Sequence, residues 1–131
     1  SGARVDTRIS ELLELLEITE ADASVQDFSS GMRQRMALAR GRLHEPQVLC
    51  LAEPTRSLDP NATAGFLGLI RDRLKEKTIV LTTQRLEEPR ALEASVGILH
   101  RGRRRAVGSL NEVCPDGDLV KAFSCLTRDE S

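Results

Sequence analysis

The chain is 131 residues long, 40% hydrophobic and 30% charged, with a formal net charge of -1. That composition belongs to a globular domain, it excludes a disordered or membrane-spanning chain, and the length allows one domain at most. Near-neutral charge and 2% aromatic content, with no Trp or Tyr, also exclude a nucleic-acid partner, since both a basic phosphate-binding face and a stacking platform are missing.

Ile9, Leu12, Leu13 and Leu16 recur at i, i+3, i+4 and i+7, which predicts an amphipathic helix over about residues 6–18. A polar stretch, Thr19 to Asp27, follows. Ser29 or Ser30 is a candidate cap for a second helix, with Met32, Met36, Ala39 and Leu43 on its apolar face and Pro46 beyond its end. Val48 to Ala52 is a continuous apolar run, expected as a strand buried on both faces of a parallel sheet. Cys50 within it reads as a small buried hydrophobe. Asp59-Pro60 predicts a helix start, with Asp at the cap and Pro in the first helical position. Thr63, Phe66, Leu67, Ile70 and Leu74 would form that helix's buried face. Thr78 to Thr83 reads as a second strand. Leu86 to Leu92 fits a short helix with Pro89 in its first turn. Ser95 to Leu99 and Arg105 to Val107 flank Arg101-Gly102 as a hairpin, and Leu119, Val120, Phe123 and Leu126 mark a last helix. The alternation of strand and helix predicts an α/β domain with a mostly parallel sheet.

Several segments carry chemistry. Ser29, Ser30, Gly31 and Met32 stand at a helix mouth, where backbone N–H groups, a hydroxyl and the helix dipole suit an anion. Taken alone, that segment reads as an ordinary capped helix. Glu53 closes the first strand, either as a working acid or as a solvated carboxylate. Arg101, Arg103, Arg104 and Arg105 read as a solvated turn. His44, His100 and the three cysteines show no metal-ligand spacing, and a Cys114–Cys125 pairing stays open beside a reduced, cytosolic setting. No stretch fits the phosphate-cradling pattern G-x-x-x-x-G-K-[ST].

Together, Phe28-Ser29-Ser30-Gly31-Met32, Val48 through Glu53-Pro54-Thr55, Ser57-Leu58-Asp59-Pro60 and the polar loop after Thr83 run in one order. That order and spacing, across residues 4 to 113, resemble the C-terminal portion of the nucleotide-binding domain of ABC transporters. Met32 followed by Arg33-Gln34-Arg35 looks like the subgroup of drug-resistance and lipid exporters. The resemblance implies a partial P-loop NTPase (ABC cassette) fold with part of the helical signature subdomain. Residues 1–46 would form that helical subdomain, 47–113 the C-terminal part of the α/β core, and 114–131 a helix and tail.

The resemblance also implies roles. Ser29, Ser30, Gly31 and Met32 would contact the phosphate of an ATP bound by the opposite subunit. Glu53 would be the vestigial general base, Asp59 part of the loop that couples two ATP sites, and Gln84 the occupant of a histidine position. The family's metal-holding Asp is Ala52 here, whose methyl group accepts nothing from a metal-bound water. Gln84 can donate through its amide but cannot change charge near neutral pH. ATP and Mg²⁺ are the implied cofactors, bound only with a partner: a second nucleotide-binding domain or an N-terminal half-cassette, beside a membrane transport subunit. The implied location is cytoplasmic, at the membrane's cytoplasmic face. In the family the phosphate-loop strand lies between those matching Thr78–Thr83 and Ser95–Leu99, so two open strand edges are expected here, inviting a complementing segment. The expected function is a cassette portion that offers its signature loop in trans to ATP. The alternative is an inactive pseudo-ATPase serving a structural or regulatory purpose, and Ser30, Ala52 and Gln84 favour both over an active ATPase.

Overall fold

The computed structural model describes residues 2–19, 24, 26 and 28–128, so most of the polar stretch from Thr19 to Asp27 lies outside the described residues. Helices α1 (Gly2–Leu15) and α2 (Ser30–Arg42) precede strand β1 (Val48–Ala52), and helix α3 (Pro60–Arg73) connects it to strand β2 (Thr78–Thr82). Then follow α4 (Glu88–Ala91), β3 (Val96–His100), β4 (Arg103–Gly108), α5 (Leu110–Val113) and α6 (Leu119–Leu126). The chain forms two compact units, which meet in sequence between Thr83 and Gln84, inside the 47–113 segment of the sequence reading.

In the first unit, β1 and β2 pair in parallel with Val48 opposite Thr78 and Ala52 opposite Thr82. Leu12, Leu16, Phe28, Leu38, Leu49 and Leu58 are buried. So are the five residues expected on the inner face of α3, and Leu69 beside them. Two expectations for β1 are overturned. Val48 is 52% exposed, Cys50 is exposed, and only Leu49 is fully buried, so the strand is covered on one face rather than two. The paired strand follows the same rule, with Val80 53% exposed. A two-stranded sheet with helices against one face leaves alternate side chains outside, whatever their polarity.

In the second unit, β3 and β4 form an antiparallel hairpin turned by Arg101 and Gly102, both at positive φ. Ile98, Cys114 and Leu119 make its core, with Leu110, Ala122 and Phe123 packed around them. All three cysteines are free. Among the described residues β2 and β3 belong to separate two-stranded sheets, and no ladder joins them.

Candidate functional site

Ser29 sets the start of α2. Its backbone is extended and its Oγ accepts from the Met32 N–H at 3.2 Å, while the Arg33 N–H donates to the Ser29 carbonyl. Those bonds occupy the amides of Met32 and Arg33. The amides of Ser30 and Gly31 are then the first-turn donors without an acceptor inside the helix. Ser30 sits in ordinary helical backbone, so the side chain that replaces the family's glycine adds bulk without backbone strain. The Arg33 guanidinium donates to the Phe28 carbonyl at 2.7 Å and braces the loop from below.

Asp59 does the same for α3. Its carboxylate accepts from the Ala62 N–H at 2.8 Å, and Pro60 follows in the first turn. The two helix starts lie side by side: a Cβ on Gly31 would lie 3.5 Å from the Ala62 Cβ. Glu17, Ser29, Gly31, Met32, Arg35 and Ala62 line a cleft of about 230 Å³ between them. Arg35 crosses it, donating to the Leu16 carbonyl at 3.4 Å and pairing with Glu17 at 3.3 Å. Gly65 leaves room for that guanidinium, since a Cβ there would stand 3.4 Å from Arg35 Nη2. The open amides at the start of α2 suit an oxyanion, while the Asp59 carboxylate offsets the dipole of α3 and Glu17 offsets Arg35.

Glu53 ends β1 and is half-buried. It begins a tight relay to Asp59: the Arg56 N–H donates to the Glu53 carbonyl, and the Leu58 N–H to the carbonyl of the fully buried Thr55. Ala52 beside it is exposed and offers no side-chain oxygen. Among the described residues no group of three or more His, Cys, Asp or Glu gathers as a metal site. The residues present at the end of β1 therefore do not fit Mg²⁺, and no chemical step is derived through it. Gln84 opens the second unit as an exposed residue. The structure thus places Ser29, Gly31 and Met32 on the wall of one cleft, with Asp59 capping the helix that contributes Ala62 to it, and places Glu53 and Ala52 at the head of the turn that leads to Asp59. Arg33 and Arg35 are functional candidates that sequence reasoning missed. Their position directly after the signature loop was the available signal.

The arginines of the β3–β4 turn are exposed, as expected, and Arg105 Nε donates to the Leu126 carbonyl at 2.9 Å. Among the described residues no helix is long and apolar enough to cross a membrane.

Comparison with known proteins agrees with this geometry. The family model described as ABC transporter matches residues 4–56. Nod factor export ATP-binding protein I of Cupriavidus metallidurans is 39% identical over 86% of this chain and 38% of its own length. The protein of the same name from Rhizobium johnstonii is 40% identical over 82% of this chain and 35% of its own. The methionine import ATP-binding protein MetN of Clostridioides difficile is 35% identical over 86% and 36%. Among solved structures, an ATP-binding subunit of an ABC transporter superposes with a TM-score of 0.74 at 28% identity, over 98% of this chain and 56% of that one. A bacterial ABC transporter cassette solved as a dimer gives 0.68 at 26% identity, over 84% and 49%. The chain therefore spans little more than a third of these curated relatives and about half of these solved structures.

Proposed function

This chain belongs to the ABC transporter ATP-binding family and carries part of its α/β cassette fold, and from that premise we propose that it presents Ser29, Ser30, Gly31 and Met32 to an ATP held by a second nucleotide-binding domain. The observation that carries the proposal is the pairing of two capped helix starts around one cleft, with Gly31 against Ala62. Ser30 and Gly31 amides and the dipole of α2 bind the phosphate, Arg33 holds the loop, and Asp59 fixes the neighbouring turn that a partner touches. Glu53 orients water on its own side, and the Gln84 amide donates to phosphate. The phosphate loop comes from another segment, in this or another polypeptide. ATP supplies the bridging charge when bound. The complex works on the cytoplasmic face of a membrane, with a transport subunit. The Met32-Arg33-Gln34-Arg35 run supports an exporter-type lineage, as do relatives named for Nod factor export, although a methionine import protein is also similar.

One observation favours the second reading, a regulatory pseudo-ATPase. Ala52 stands at the position that would hold the metal, and its side chain has no ligating atom. Both readings predict association with a nucleotide-binding domain, and they differ in its nucleotide dependence. Analytical ultracentrifugation of the chain mixed with a phosphate-loop-bearing nucleotide-binding domain separates them. The proposal expects a complex that needs ATP and is weakened roughly tenfold by Gly31→Ala, because a methyl group blocks close approach of phosphate to the backbone. The same substitution has only ordinary contact with Ala62 and leaves the fold intact. A complex indifferent to both ATP and Gly31→Ala supports the regulatory reading.

A further inference from the structure

Among the described residues, five that are not glycine have positive φ: Glu17, Glu45, Glu53, Glu93 and Arg101. Four have ordinary reasons. Glu17, Glu45 and Glu93 each follow the end of a helix, where a left-handed residue lets trailing amides reach back, as in Ile18 N–H to the Leu13 carbonyl and Ala94 N–H to the Pro89 carbonyl. Arg101 turns a hairpin. Glu53, at φ 47, follows a strand and has neither reason.

What holds it is β2. The Glu53 N–H is shared between two acceptors on one residue, the Thr82 carbonyl at 3.0 Å and the Thr82 Oγ1 at 3.2 Å. Thr82 is the last residue of β2 and pairs with Ala52. Had residue 53 continued β1 in extended form, its side chain would have joined Leu49 and Leu51 on the covered face. Reversing the sign of φ carries the Cβ off that face and spares a carboxylate from burial among apolar side chains.

We infer that Thr82 is the positioning residue for Glu53, its hydroxyl holding residue 53 in the left-handed turn that sets the carboxylate at the strand end. The inference rests on the reading of Glu53 as the water-orienting acid, since only then does its placement matter for activity. Among the described residues the hydroxyl bonds the Glu53 amide, and its effect on chemistry passes through Glu53.

The test uses the full chain, isotope-labelled, as wild type and as Thr82→Val, Thr82→Ala and Thr82→Ser. Thr82→Val and Thr82→Ala keep the backbone carbonyl and remove the hydroxyl, and Thr82→Ser restores it. Loss of one hydrogen bond is expected to speed exchange of the Glu53 amide about fivefold and to change its HN–Hα coupling, with Leu51 and Arg56 amides altered less than about twofold. Thr82→Ser should match wild type. Unchanged exchange and coupling at Glu53 in Thr82→Val, or equal acceleration across residues 48–59, overturns the inference. In a complex whose phosphate loop completes the ATP site on the Glu53 side, Thr82→Val should lower kcat for ATP hydrolysis at constant KM, and Thr82→Ser should not. A wild-type complex that hydrolyses no ATP sinks the role of Glu53 as acid, while the amide exchange still decides whether Thr82 positions it.

Discussion

At the scale of single residues, Arg42 is a buried arginine whose side chain is only partly satisfied among the described residues. Arg42, in the last turn of α2, is only 8% exposed, and its Nε is buried with no acceptor among the described residues. Burial lowers its pKa first, and the neighbouring Arg8 guanidinium adds to this, with Glu45 and Glu76 opposing. Arg8 is already committed, donating to the Arg42 carbonyl at 3.3 Å and pairing with Glu11 and Glu45 at 3.5 Å. A buried guanidinium nitrogen without an acceptor carries a desolvation cost that the packing of its stem does not fully offset. Arg42→Leu keeps the backbone carbonyl and much of the volume, so it should stabilise the first unit by about 1–2 kcal/mol in urea unfolding. Destabilisation of similar size would mean that the guanidinium has a partner in solution. Nothing in the sequence flagged this residue, because an arginine in a last helical turn is ordinarily a favourable exposed cation. Cys50 failed in the opposite sense. It looks like core and lies outside, because an apolar run does not say how many faces of its sheet are covered. Glu53 was readable as an acid at a strand end, but its left-handed backbone was not, since it depends on a threonine 29 residues away.

At the scale of elements, local rules carried most of what the sequence showed. Ser29 and Asp59 cap α2 and α3 as their types and spacing predict, because capping involves only three neighbouring residues. The Arg101-Gly102 turn was readable for the same reason. Helix α5 was missed although its signal is local too. Ser109 and Glu112 form a reciprocal capping box, with the Ser109 N–H donating to the Glu112 carboxylate at 2.7 Å and the Glu112 N–H donating back to Ser109 Oγ at 3.3 Å. Those bonds hold the Glu112 pKa below its ordinary value, the Ser109 backbone bond first and its hydroxyl second. The sign of the pH effect follows. A depressed carboxylate pKa favours the folded state above the unfolded value, near about 4.3, and that preference fades as pH falls through the lower folded value. Acidification from about pH 5 to about pH 2 should therefore loosen the start of α5. Exchange of the Ser109 amide, followed against pH, should rise across that window, and Glu112→Gln should flatten the profile. A profile in Glu112→Gln identical to wild type would contradict the capping box as its cause.

At the scale of the whole molecule, two units with separate cores carry different shares of the chemistry. The first holds the cleft of Ser29, Gly31 and Ala62 together with the turn from Glu53 to Asp59. The second begins at Gln84 and holds the arginine-rich hairpin. The close approach of Gly31 to Ala62 joins residues far apart in sequence, so spacing alone did not reveal the cleft, although both of its walls were named. The central claim is that this cleft meets ATP held by another domain. It is tested most directly with an ATP analogue carrying a photoreactive group on its terminal phosphate, mixed with the chain and a phosphate-loop-bearing nucleotide-binding domain, irradiated and mapped by mass spectrometry. The account predicts a crosslink within residues 29–32 that needs the partner domain and is lost in Gly31→Ala. A crosslink to the chain without any partner, or one confined to the partner when both are present, would contradict it.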